Sequence, residues 1–109
     1  GNGNADGTFV YTGFKPAWIM TKRTDNTSSW IMRDNKRDAF NPSQTSLYAN
    51  AATADDTSGG ASYYIDFLSN GFKFTGNGTG FNASGGTYIY MAFATAPLVG
   101  SNNVPATAR

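Results

Sequence analysis

Ala61-Ser62-Tyr63-Tyr64-Ile65-Asp66-Phe67-Leu68, then Ser69-Asn70-Gly71, then Phe72-Lys73-Phe74-Thr75 carry the clearest structural signal in the chain. Apolar and polar residues alternate on both sides of an Asn-Gly pair, the period of strands with one covered face, and Asn-Gly tolerates the positive φ angles of a tight turn. A β-hairpin is expected here. Downstream, Thr87-Tyr88-Ile89-Tyr90-Met91-Ala92-Phe93-Ala94-Thr95 is the longest strand candidate and is bulky or apolar on both faces. Such a pattern predicts a central strand, covered on both sides.

Upstream, Thr8 to Thr12 reads as a strand that ends at the turn Gly13-Phe14-Lys15-Pro16. Ala17 to Thr24 then sets Trp18 and Met20 on one face against Ile19 and Thr21 on the other, and Ser29 to Asp34 pairs back on it across a turn at Asp25 to Ser28. From Asn35 to Gly60 the pattern weakens around a mixed cluster of Arg33, Asp34, Lys36, Arg37 and Asp38, in which Asp34 and Arg37 are expected to pair. So long a connection predicts either a short strand near Ser46 to Ala49 or a loop with a task. Gly76 to Gly86 is a polar loop with Phe81 at its middle, a ring that must cover a core edge or meet a partner. About seven short strands without a helix give an all-β fold, an antiparallel β-sandwich of jelly-roll-like form, with a small barrel the second choice. The sandwich is expected over residues 1–97, followed by an extended tail over 98–109.

Composition narrows the function. The 109 residues hold eight Phe, six Tyr and two Trp, yet no His, no Cys and no Glu. Strong helix formers are scarce, and Thr, Tyr, Phe and Ile favour strands. A net charge of +1 gives none of the broad positive field that a phosphate backbone requires, so nucleic acid is not expected as a partner. No apolar run approaches the ~20 residues of a membrane span, and the first residues lack the basic and apolar regions of a signal peptide. Without Cys there is neither a disulfide framework nor a thiolate metal site, which leaves the compartment open.

Catalysis finds few materials. Without His a Ser/His/Asp triad cannot be built, and no Ser-x-x-Lys spacing replaces it. Glycoside hydrolysis would have to draw on the seven Asp residues, of which Asp66 and Asp34 are the nearest candidates. Asp55-Asp56 and Asp25-Asn26 offer oxygen ligands but not the spaced Asp series of a calcium loop, so no metal and no cofactor is expected. The glycine-rich stretches lack the strand-to-helix context of phosphate loops and read as turns. Sugar recognition uses aromatic faces beside Asn and Asp. Trp30, Tyr48 and Phe81, all next to loops, are its candidates, against the competing reading that a chain poor in Leu and Val builds its core from rings.

Four segments taken together carry a family resemblance: Gly13-Phe14-Lys15-Pro16-Ala17-Trp18-Ile19-Met20-Thr21-Lys22-Arg23-Thr24; Trp30-Ile31-Met32-Arg33-Asp34 with Arg37; Phe67-Leu68-Ser69-Asn70-Gly71-Phe72-Lys73; and Thr87-Tyr88-Ile89-Tyr90-Met91-Ala92-Phe93-Ala94. In order and spacing they resemble a domain of unknown function common in the virion structural proteins of tailed phages, and Gly1 to Gly3 resemble the remnant of a motif that follows an earlier strand in that family. The resemblance implies a non-enzymatic module of a tail fibre or spike, or a capsid decoration, that acts by subunit assembly and host-surface binding. Its expected partners are other virion proteins, further copies of itself in a homo-oligomer, and a host-surface glycan; its expected location is the virion. A carbohydrate-binding, lectin-like module is the alternative. No catalytic residues come with the family.

Overall fold

The computed structural model describes residues 1–96 and 99–104. Two antiparallel sheets face each other, as expected of a sandwich. Strands β1 (Phe9–Tyr11), β6 (Gly71–Phe74) and β5 (Ile65–Leu68) form one sheet in the order β1-β6-β5. Strands β4 (Leu47–Tyr48), β3 (Ile31–Asp34), β2 (Pro16–Arg23) and β7 (Tyr88–Ala94) form the other in the order β4-β3-β2-β7. A 3-10 turn at Gly60–Tyr63 and one helical turn, α1 (Thr79–Asn82), complete the regular elements. Of the tail expected over 98–109, residues 98 and 105–109 lie outside the described residues; within 99–104, Gly100 and Asn103 close a turn.

The β5–β6 hairpin shows how alternation builds the core. Ile65 pairs with Phe74 and Phe67 with Phe72, all four buried, while Asp66 and Lys73 stand opposite each other on the outside. The turn is Ser69-Asn70, and no positive φ is used there. Gly71 serves another need. It pairs with Tyr11 of β1, and a Cβ at this position would strike the Val10 carbonyl oxygen, so the close approach of β1 demands glycine.

From the other sheet, Ile19 and Ile31 point inward to meet these rings. Phe81, carried by α1, closes one end, its ring 5.0 Å from Phe74 and 4.9 Å from Tyr63. Each buried Ile or Phe contributes roughly 2 kcal/mol. The short strand suggested near Ser46 to Ala49 is β4, and Arg37 pairs with Asp34 at 2.5 Å.

One inward position on β3 is a charge. Arg33 is 2% exposed, opposite Ile19 of β2, inside the sandwich. Its guanidinium donates to the Ser43 carbonyl oxygen at 2.7 Å and the Ser46 hydroxyl at 2.8 Å, and it lies 5.4 Å from the centre of the Phe81 ring. The Ser43 carbonyl also accepts from the Ile65 N–H at 3.1 Å, so the guanidinium of one sheet reaches the edge strand of the other through one oxygen. Burial lowers the pKa of Arg33 to about 10, still cationic at neutral pH. Asp38, the nearest acidic influence, spends its carboxylate on the same loop, accepting from Ser43 and Thr45 hydroxyls and from the Gln44 and Thr45 N–H groups. Partial burial opposes its ionisation, but these bonds outweigh it and its pKa is lowered.

The expectation of a central β7 fails: the strand lies at the edge of its sheet, bonded only to β2. Its apolar residues occupy both faces for two different reasons. Tyr88, Tyr90 and Ala92 share the side of the buried Thr21 and Ile19, whereas Ile89, Met91 and Phe93 face outward and are half-exposed.

Arg33→Ala leaves the Ser46 hydroxyl and the loop around Ser43 without their buried donor. We expect a loss of about 3 kcal/mol or more in urea unfolding, against about 1 to 2 kcal/mol for Ser46→Ala.

Candidate functional site

The outward face of the four-stranded sheet is built by the same register that builds the core. Leu47 pairs with Met32, Met32 with Met20, and Met20 with Met91, so one apolar row crosses all four strands. In the row beside it, Asp34 pairs with Trp18 and Trp18 with Phe93, the two rings 5.4 Å apart. On the other side Lys22 pairs with Ile89, and Trp30, just before β3, falls on this face by alternation and is 37% exposed.

This face therefore carries all three Met and both Trp of the chain. Ile89 and Met91 are each 50% exposed and Phe93 is 57% exposed. An antiparallel sheet with one solvated face ordinarily alternates apolar and polar residues. Here Asp34, with Arg37 paired to it, and Lys22 interrupt an apolar surface, and large contiguous exposed apolar patches are a general mark of contact sites. Unbranched, polarizable Met side chains adapt their shape to a partner.

The three sugar-binding candidates do not converge. Trp30 lies on the outer face, and its N–H on the backbone donates to Asn50 Oδ1 at 2.9 Å. Tyr48 turns inward beside the core, where burial and the bond from its hydroxyl to Asp56 Oδ2 at 2.6 Å push its pKa up to about 12. Phe81 is 1% exposed, with neighbouring rings against it, and offers no face to a sugar. The acidic pairs disperse as well. Asp55 bonds Arg37, whereas Asp56 accepts from Ser58 and Tyr48, bonds that hold its pKa down to about 2.

A separate cavity of about 230 Å³ opens between Lys15, Asp38, Phe40 and Phe67. Part of its polar wall is committed, Asp38 to its own loop and Asn41 to both the N–H and the carbonyl of Phe67, whereas the buried Asn35 Oδ1 has no hydrogen-bond partner among the described residues. Phe40, at the rim, is 87% exposed.

Sequence reasoning did not find the outer face as a site. Two signals were present, the Trp18/Met20 alternation and the double-sided apolar strand at 87–95, but neither says which face meets the second sheet. Comparison with known families matches residues 1–97 to a family described as a domain of unknown function (DUF7483), and the chain belongs to it. No curated protein and no solved structure matches the chain.

With every Met outside the core, mild peroxide should convert Met20, Met32 and Met91 to sulfoxides while the domain stays folded. Intact mass and a melting curve check this, and we expect the fully oxidised protein to lose less than about 1 kcal/mol. The Asp56 carboxyl titrates in the folded state below its ordinary 3.8, so its contribution is full above that pH and is lost as pH falls toward about 2. Urea midpoints from pH 5 to pH 2 should fall, and Tyr48→Phe should flatten that fall.

Proposed function

We propose that this DUF7483 domain is a non-enzymatic assembly module of a tailed-phage virion, in a tail fibre or spike or as a capsid decoration, that works by docking the outer face of its four-stranded sheet onto neighbouring subunits. The observation that carries the reading is that face itself, with Trp18, Trp30, Met20, Met32, Met91 and Phe93 brought to one side of the sheet, Trp30, Met91 and Phe93 exposed and the other three half-buried among them. A monomer that exposed it alone would carry an aggregation liability, so a permanent neighbour supplies its physical rationale.

The rest of the chain supports the same direction. Asp34 and Asp38 are tied into loop bonds, and among the described residues Asp38 is the one carboxylate lining the cavity beside Phe40, where two-carboxylate hydrolysis would need a pair. A near-neutral charge suits contact between proteins better than contact with phosphate backbones. The phage setting rests on the four sequence segments that resemble virion structural proteins. Host-surface binding, in this reading, belongs to the assembled particle.

Quantitative mass spectrometry of gradient-purified particles should find the domain at a fixed copy number. Met20→Lys and Met32→Lys, which leave the core untouched, should fold with native circular dichroism yet drop out of particles by at least tenfold. Absence of the wild-type protein from purified particles, or full incorporation of both variants, overturns the proposal.

A further inference from the structure

Strand β7 forms the edge of the outer-face sheet and, among the described residues, hydrogen-bonds only to β2, so the N–H and C=O groups on its other side face no described strand. Edge strands of natural sheets carry charges, prolines, bulges or covering loops that prevent strand addition. Tyr88-Ile89-Tyr90-Met91-Ala92-Phe93-Ala94 carries no charge and no proline, and the register shift in its pairing lies at the far end, between Pro16 and Trp18 of β2. Beside this edge the sandwich stands open. A cleft of about 210 Å³ separates β7 from β1, with Val10, Phe72, Phe74 and Tyr90 in its walls.

Resting on the assembly reading above, we propose that two copies of this chain pair β7 against β7 in antiparallel register about a two-fold axis through Met91. Side-chain size chooses that register. With Met91 on the axis, Tyr90 of one copy faces Ala92 of the other and Tyr88 faces Ala94, so on the inner side every large ring meets a methyl group, while Ile89 faces Phe93 on the outer side. Moving the axis to Tyr90 sets two tyrosine rings against each other, and moving it to Ala92 leaves a gap between two methyl groups. An uncharged strand also meets its own copy without like-charge repulsion.

The half-exposed side chains of Ile89, Tyr90, Met91 and Phe93 would bury roughly 400 Å² per copy. With the paired backbone the total is about 1,000 Å², the lower bound of specific interfaces, so the dimer should form in the micromolar rather than the nanomolar range.

The absence of Cys makes the test direct. Antiparallel partners on an axis have Cα atoms about 4.5 to 5.5 Å apart, within disulfide reach, whereas residues two positions off the axis are about 14 Å from their own copies. Under mild oxidation Met91→Cys should give a disulfide dimer in high yield. Ile89→Cys and Phe93→Cys should stay monomeric singly but cross-link when mixed. In sedimentation, the wild type should dimerise with concentration, and Met91→Lys, checked for native circular dichroism, should not. A wild type that stays monomeric at about 1 mM overturns the pairing. A dimer that survives Met91→Lys or shows no Met91→Cys selectivity also overturns it, because that dimer joins through another surface. Neither result bears on the particle incorporation of Met20→Lys and Met32→Lys, which tests the assembly reading by itself.

Discussion

The buried guanidinium of Arg33 is the constraint around which this domain is arranged. An isolated charge between two sheets of Ile and Phe costs several kcal/mol unless its donors are met, and here the acceptors come from the long connection between β3 and β5. A weakly patterned segment thus gains a fixed path. It must bring the Ser43 carbonyl and the Ser46 hydroxyl to one point, with Asp38 bending the backbone that carries them. Ser43 then bonds Ile65, and the second sheet is held at the distance that the arginine sets.

How much of this could be read from the chain depends on the range of the interaction. The β5–β6 hairpin is a local matter of alternation around a turn, and it stands where it is expected except that Gly60–Tyr63 form a 3-10 turn and the strand begins only at Ile65, while Gly71 answers to the approach of β1 and not to the turn. The placing of Phe81 against the core edge follows from the same economy, since a large ring on a short loop has little else to cover. Arg33 was legible only as part of a mixed charge cluster, because nothing local distinguishes an arginine that points inward from one on a solvated face. Its partners, ten and thirteen residues on, are serines of no distinctive pattern.

The misplacement of β7 has a sharper cause. Apolar residues on both faces ordinarily mean cover on both sides, and that inference assumes a domain complete in itself. The same pattern arises when a strand has the core on one face and a partner on the other. For the same reason Trp18 and Met20 share a face in the sequence without a destination: alternation separates two faces but does not say which is inside. An exposed apolar face is written in the same residues as a core, and only the position of the second sheet tells them apart.

The polar ties between the sheets are also unevenly distributed. Arg33, Ser43 and Ile65 bind β3 to β5 along one side; on the other, the segments that lead into β1 and β7 bond to each other, Gly1 to Gly86 and Gly3 to Asn82, and beyond those bonds Tyr90 of β7 meets Phe72 of β6 edge-on, 5.5 Å apart beside the open cleft. Bonds with fixed direction set the distance between the groups they join, whereas rings in edge-to-face contact leave that distance to packing. The spacing of the two sheets is thus set by directed bonds at Arg33 and at Gly1 and Gly3, and along the cleft between them by ring packing, which leaves the gap beside β7 as the part of the sandwich that the side chains of an added strand can fill.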